Sequence, residues 1–258
     1  MAKIDKKVKK LKAKDLKQST FSIPAFKTRV CEICNFTYSK NIKKSRDQHD
    51  TVHSDFLSGS QIKLKQQLQK LFSAENSKEI KLIILEGKRL KVHAVVLSCT
   101  DQSISTLVEE TLTTMDKTWL NSTDCSSSWK SRPLESKVVL LIGEQERIFR
   151  IIGITITESP EPNSKYIPGL HLDTKTCEIV SEQPKLQLRL GVSRIFVLPA
   201  YRGHGLAKMM LDCVLKYCVY GTELNKWQIG FSQPSGAGLH LLKSWYNNSP
   251  TLPVYEEN

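Results

Sequence analysis

Residues Leu190 to Tyr217 read LGVSRIFVLPAYRGHGLAKMMLDCVLKY, and this stretch decides the fold. From Val192 to Leu198 the side chains are mostly β-branched, aromatic or aliphatic, the near-continuous apolar run of a strand buried on both faces. Pro199 ends it. Leu206, Met210, Cys213, Val214 and Tyr217 then recur at intervals of three and four, which predicts a helix with one apolar face to lay on that strand. Between the two lies Arg202-Gly203-His204-Gly205-Leu206-Ala207. The first turn of a helix has backbone N–H groups without partners and the positive end of the macrodipole, so this turn is a ready phosphate site. Gly203 and Gly205 let the backbone close in, Arg202 and His204 add donors, and Ala207 keeps the helix start slim.

Downstream, Trp227 to Phe231 reads as a strand, Leu239 to Tyr246 as a helix, and Leu252 to Tyr255 as a short closing strand. Upstream, Val138 to Ile142 and Ile148 to Thr157 form a hairpin about the turn Gly143 to Glu146. Ser159 to Lys185 is Pro-rich and polar, and residues 159–187 are read as an insertion. Earlier still, Lys81 to Leu85 and Val92 to Leu97 read as strands, Ser105 to Leu120 as a helix, and Ser122 to Ser136 as a loop. Phe56 to Phe72 reads as a polar helix with the sparse stripe Ile62, Leu64, Leu68 and Leu71, a spacer or a lid. The chain thus divides into a basic arm (1–28), a metal-binding unit (29–56), a helical and strand connection (57–136) and a C-terminal domain (137–258).

The metal-binding unit is RVCEICNFTYSKNIKKSRDQHDTVH, from Arg29 to His53. Cys31 and Cys34 have the two-residue gap of a zinc knuckle. His49 and His53 sit one helical turn apart and share a face. Two thiolates and two imidazoles make the closed tetrahedral set of a structural zinc site, and 14 residues between the pairs is a span one finger can close. Phe36 and Tyr38 supply a small core over the metal. Fingers that read DNA usually come in tandem, so a lone finger points to stabilising a segment or docking a partner.

Composition sets the outer bounds. The chain has 258 residues, 40% of them hydrophobic and 25% charged, and no apolar run approaches a membrane span of about 20 residues. The N-terminus is lysine-studded rather than apolar, unlike a secretory signal. Seven cysteines, an odd number, point to a reducing compartment where paired Cys binds metal. Of the net charge of +12, residues 1–50 hold 14 Lys and Arg against 5 Asp and Glu. Met1 to Lys17 therefore reads as a disordered arm, serving nuclear import, nucleic-acid contact or only solvation.

The loop pattern at Arg202, Gly205 and Ala207 resembles motif A of the GNAT acetyltransferases, R/Q-x-x-G-x-G/A, which wraps the pyrophosphate of acetyl-CoA. The order of hairpin, strand, loop with helix, strand, helix and strand is also that of the GNAT fold. The resemblance implies an α+β fold, a mixed central sheet flanked by helices, here preceded by a small Cys2His2 zinc finger. It implies that backbone groups of Ile195 and Val197, with Phe196 between them, line the pantetheine arm. Amides from Gly203 to Lys208 would then hold the pyrophosphate. More specifically, the chain resembles the establishment-of-cohesion acetyltransferases of the fungal type. The finger, Gly191 to Val197, Phe231-Ser232-Gln233-Pro234 and Pro253-Val254-Tyr255 carry that likeness. It implies transfer of acetyl from acetyl-CoA to lysines on the ATPase head of cohesin's SMC subunit, in the nucleus during DNA replication. Gln18 and Phe21 would then be a contact for the sliding clamp PCNA, and the basic arm a contact for chromatin or DNA.

The chemistry requires a base, because a lysine ammonium has a pKa of about 10.4 and must lose a proton before attack. No carboxylate lies between Leu190 and Arg202. The family places a serine implicated in catalysis at Ser193, which in structural terms is equally a bonded strand residue. Some relatives carry an aspartate where this chain has Gln233, so the base is a water chain or a carboxylate from the substrate. Tyr246 is a candidate to protonate the leaving thiolate, or a core residue with its hydroxyl at the surface. Cys213 and Cys218 read as small hydrophobes, and His93, His171 and His240 as structural or exposed. Two other readings stay open: a GNAT enzyme with another acceptor such as histones, and a zinc-finger chromatin adaptor with a catalytically weak GNAT domain.

Overall fold

The computed structural model describes residues 28–73, 75–98, 102–119 and 136–256. The basic arm with Gln18 and Phe21, and the Ser-rich stretch 122–135, lie outside them.

The described chain opens with a small hairpin, β1 (Thr28–Val30) against β2 (Thr37–Ser39), followed by helix α1 (Lys43–Ser58). Gly59, at φ +88°, breaks that helix. The backbone then enters a two-residue strand, β3 (Ser60–Gln61), which pairs with a strand of the main sheet. The single polar helix read over Phe56 to Phe72 is therefore a helix end, a strand and a separate short helix, α2 (Lys65–Leu71). Nor is it a spacer or lid, since Ile62 and Leu71 are buried in the core.

Two long hairpins follow. The first joins β4 (Ser77–Leu85) to β5 (Lys88–Ser98), and helix α3 (Gln102–Trp119) leads away from it. The second joins β6 (Lys137–Gln145) to β7 (Ile148–Glu158). Its turn is Glu146-Arg147 rather than Gly143 to Glu146. Both turn residues have positive φ, 50° and 63°, the two-residue geometry that matches strand twist.

The stretch read as an irregular insertion contains β8 (Ile167–Asp173) and β9 (Leu186–Leu188). It folds because β8 pairs antiparallel with the last strand, burying Leu172. The central unit is β10 (Leu190–Val197), a 3₁₀ turn at Pro199–Tyr201 and helix α4 (Leu206–Tyr217). A second 3₁₀ turn, Lys226–Gln228, takes the first part of the strand expected over Trp227 to Phe231. What remains is β11 (Ile229–Phe231), then α5 (Gly236–Trp245) and β12 (Thr251–Val254).

The strands form one ten-stranded mixed sheet in the order β4-β5-β6-β7-β10-β11-β12-β8-β9, with β3 alongside β7. Its central strands are covered on both faces. On one, α4 sets Met210, Cys213 and Val214 against Val92, Val139, Leu141 and Ile152. On the other, α3 packs Ile104, Leu107, Val108 and Leu112 on Val95, Leu140, Ile142 and Ile154. Each such aliphatic side chain taken from water contributes about 1.5–3 kcal/mol before chain entropy is set against it. The sheet is continuous from β4 onward, so no structural break falls at residue 137.

Candidate active site

The site is built where two parallel strands separate. β10 and β11 pair only from Leu190 to Val192, opposite Ile229 to Phe231. β10 then continues to Val197 along β7 alone. Its register against β7 shifts between Val192 and Arg194, so Ser193 occupies a β-bulge at the fork. A bulge bends the strand and re-aims its side chains. Ser193 is buried, and its carbonyl accepts from Ser232 Oγ at 3.0 Å and from Arg194 Nη1 at 2.8 Å.

The fork opens into a cleft of about 1350 Å³, above the range of about 300–1,000 Å³ that drug-sized ligands occupy. Ile195, Phe196 and Val197 form one wall, Gly203, Gly205, Ala207 and Lys208 its end, and Phe231 to Ser235 the other wall. Gln233 is exposed on that second wall.

At the cleft end the backbone turns through two left-handed glycines, Gly203 at φ +80° and Gly205 at φ +72°. Gly205 is the N-cap of α4 and no side chain caps it. The amides of the first turn therefore keep their donors for a ligand. Arg202 Nε donates to the Val197 carbonyl at 2.9 Å and its guanidinium lies 5.9 Å from the Phe196 ring centre. Lys208 Nζ donates to Ser244 Oγ at 2.8 Å, tying α4 to α5.

His204 does not line the cleft; its ring faces two carbonyls, Nδ1 toward Arg202 at 2.9 Å and Nε2 toward Ile84 at 3.2 Å. Lys81 answers from the same strand, donating to the His204 carbonyl at 2.7 Å. The edge strand β4 thus clamps the glycine loop from both directions. Sequence reading missed Lys81, because nothing local to KLIIL marks a contact 123 residues away.

Tyr246 is not in the cleft. Its hydroxyl donates to the Lys226 carbonyl at 2.5 Å, its ring packs among Trp227, Phe231 and Trp245, and burial pushes its phenol far up. Helical period placed Tyr246 at the end of α5 but could not say which way that end faces. The tyrosines that do line the cleft are Tyr201 and Tyr255; the hydroxyl of Tyr255 donates to Glu158 Oε2 at 3.1 Å.

A second chemical cluster lies in the N-terminal unit. One ligand atom each of Cys31, Cys34, His49 and His53 fall within 4.8 Å of one another. Tyr38 stacks on the His49 ring at 3.9 Å, and Phe36 lies 6.3 Å from it. His49 Nδ1 faces Asp50 Oδ1 at 3.2 Å, while its Nε2 is buried with no hydrogen-bond partner among the described residues. A metal-binding imidazole shows this division, one nitrogen oriented by a carboxylate and the other kept for the ion. Burial opposes ionisation of Cys31, but hydrogen bonds from the Cys34 and Ile33 backbones bring its thiol down to about 6. Burial pushes Cys34 up. The donor set suits a tetrahedral structural ion.

The finger-like unit is packed onto the sheet domain. Phe56 is buried in the α4-side core, Tyr201 donates its hydroxyl to the Ser58 carbonyl at 3.0 Å, and Arg150 Nη1 donates to the Gly59 carbonyl at 2.8 Å. Tyr201 ends the turn that leads into the glycine loop, so its hydrogen bond links the end of α1 to that loop.

Comparison with known proteins places these features in context. The family described as "ESCO1/2 acetyl-transferase" matches residues 187–255. N-acetyltransferase ECO1 of Debaryomyces hansenii is 28% identical over 98% of this chain and 93% of its own length. The protein of the same name from Kluyveromyces lactis is 27% identical over 91% of this chain and 92% of its own. Among solved structures, the xEco2 acetyltransferase domain bound to a K105-CoA conjugate shares the fold. Its TM-score is 0.53 at 19% identity, covering 65% of this chain and 94% of that domain.

Proposed function

The chain belongs to the ECO1/ESCO family of N-acetyltransferases, and from that premise we propose that it transfers acetyl from acetyl-CoA to lysines of the cohesin SMC ATPase head. The observation that carries this is the fork of β10 and β11 with an uncapped, two-glycine helix start at its end. Among the described residues no strand pairs with β10 past Val192 on the side away from β7, and a pantetheine arm would lie along that side. The amides from Gly203 to Lys208 then take the diphosphate, and Arg202 and Lys208 add charge.

Chemically, the acceptor ammonium must be deprotonated and the thioester carbonyl held by fixed donors, so that charge develops on its oxygen with little reorganisation. Ser193, at the bulge, orients the reacting groups. Cys31, Cys34, His49 and His53 hold a structural zinc ion, which fixes the hairpin on α1 and supplies no catalysis. In this reading the protein acts in the nucleus during replication. The basic arm contacts chromatin or DNA, and Gln18 and Phe21 contact PCNA.

The deciding experiment incubates the protein with labelled acetyl-CoA and a panel of SMC head domain, histones and no acceptor, beside Gly205→Asp. That variant strains a left-handed position and sets a carboxylate where phosphate would bind. Label on the SMC head, absent in the variant, is the expected result. Label on histones alone would replace the acceptor, and no label anywhere with folded protein would return the chain to an adaptor.

A further inference from the structure

The reaction needs a proton acceptor that neither Ser193 nor Gln233 supplies. The geometry points to Tyr255 and Glu158 as that device: the phenol takes the acceptor lysine's proton while passing its own to the Glu158 carboxylate. This rests on the acetyltransferase reading above.

Placement comes first. The Tyr255 backbone N–H donates to the Phe231 carbonyl at 3.1 Å, anchoring the residue where β11 ends and the cleft opens. Its ring lies on Gly191 so closely that a Cβ there would meet Cζ at 2.6 Å and the hydroxyl oxygen at 2.8 Å. At Gly230 on the facing strand a Cβ would come within 3.4 Å of the same ring. Gly191, with no side chain, leaves room for the phenol to cross β10 and reach Glu158, which stands opposite Gly191 in the β7 ladder. The hydroxyl is therefore held two residues before the Ser193 bulge, on a residue that lines the cleft and is 4% exposed.

The proton balance closes. The ammonium gives one proton to the Tyr255 oxygen as the Tyr255 proton moves to Glu158, leaving a neutral amine, a neutral phenol and a neutral carboxylic acid. The amine forms the C–N bond at the acetyl carbonyl and the C–S bond breaks. The second nitrogen proton leaves with the thiolate as CoA thiol, and Glu158 returns its proton to water. A phenol hydrogen-bonded to a carboxylate passes a proton without ever holding a full charge, which suits a position this buried.

A bond that only locks the last strand to β7 would show the same distance, so the test reads pH. Initial rates from acetyl-CoA to whichever panel acceptor is labelled are measured from pH 6 to 10 for wild type, Glu158→Gln, Glu158→Asp and Tyr255→Phe. Acetyl-CoA affinity and melting temperature are measured alongside. We expect Glu158→Gln to lower kcat about 100-fold or more at pH 7, with acetyl-CoA affinity within about twofold of wild type. Its rate should then climb about tenfold per pH unit toward the lysine pKa of about 10.4, as only acceptor already neutral in solution can react. Tyr255→Phe should fall in the same pH-dependent way, and Glu158→Asp should keep part of the rate if the glutamine variant folds poorly.

A loss uniform across pH, or wild-type rates in both Glu158→Gln and Tyr255→Phe, would overturn the assignment. So would a pH-dependent loss in Glu256→Gln with Glu158→Gln at wild-type rate, since Glu256 is the exposed carboxylate beside the same cleft. Wild type that binds acetyl-CoA but labels no acceptor would overturn the transferase reading as well. Transfer that the variants retain overturns only this one.

Discussion

Ser193 illustrates how much a single residue's surroundings decide. Its hydroxyl lies at a bulge whose carbonyl is already fixed by Ser232 and Arg194. Ser193→Ala should therefore keep the backbone and the acetyl-CoA affinity while lowering turnover about tenfold, the scale of one lost positioning hydrogen bond; steady-state kinetics beside a binding titration would check both halves. Cys213 and Cys218 give a second residue-level outcome. Burial pushes both thiols up to about 12, so at pH 8 only about one in ten thousand is thiolate. Iodoacetamide at pH 8 should modify exposed Cys177 and leave both unlabelled, as peptide mass mapping would show. The loop residues Arg202 to Ala207 were legible in sequence because glycines before an apolar period announce a turn into a helix. Tyr255 and Glu158 were not, because their partnership spans 97 positions and no local pattern carries it. Tyr246 misled for the same reason in reverse: it has the right neighbourhood in sequence and the wrong direction in space.

Among the elements, β4 had its character but not its place written in sequence. The run KLIIL is apolar enough for a strand covered on both faces, yet Ile80, Leu82 and Ile84 are 56%, 69% and 67% exposed. The strand is the edge of the sheet, and neither α2 nor α3 covers that face of it. Its other face grips the glycine loop through Lys81 and the Ile84 carbonyl. Lys81→Met should weaken acetyl-CoA binding about tenfold through a looser loop and a lost cation, with Lys81→Arg restoring part of it; acetyl-pantetheine, which lacks the diphosphate, should bind both equally in calorimetry. The strand in residues 159–187 stayed hidden because its pairing partner is the last strand of the chain. The helix read over Phe56 to Phe72 failed at one residue, Gly59, whose φ of +88° is open to glycine at little strain.

At the scale of the whole molecule, the cysteine and histidine spacing was enough to gather four ligands, but only the structure shows where the unit carrying them sits. With zinc at the proposed site, chelating it should free the hairpin and loosen Phe56 from the core. We expect the melting temperature of the full chain to drop by several degrees, an effect of about 2–4 kcal/mol, and acetyl-CoA affinity to fall with it because Tyr201 then loses its Ser58 partner; Tyr201→Phe should show the affinity change with only a small part of the melting change. Inserting two glycines after Ser58 would test the same joint without touching the ligands. That joint has a further meaning. One residue, Gly59, separates α1 from β3, and β3 is already part of the catalytic sheet. There is no tether to swing on. Whatever surface the first unit is seated on, the mouth of the cleft faces one set direction from it, as the jaw of a caliper does. On the proposed reaction, the acceptor among many lysines of similar chemistry would then be chosen by its distance and bearing from that seat.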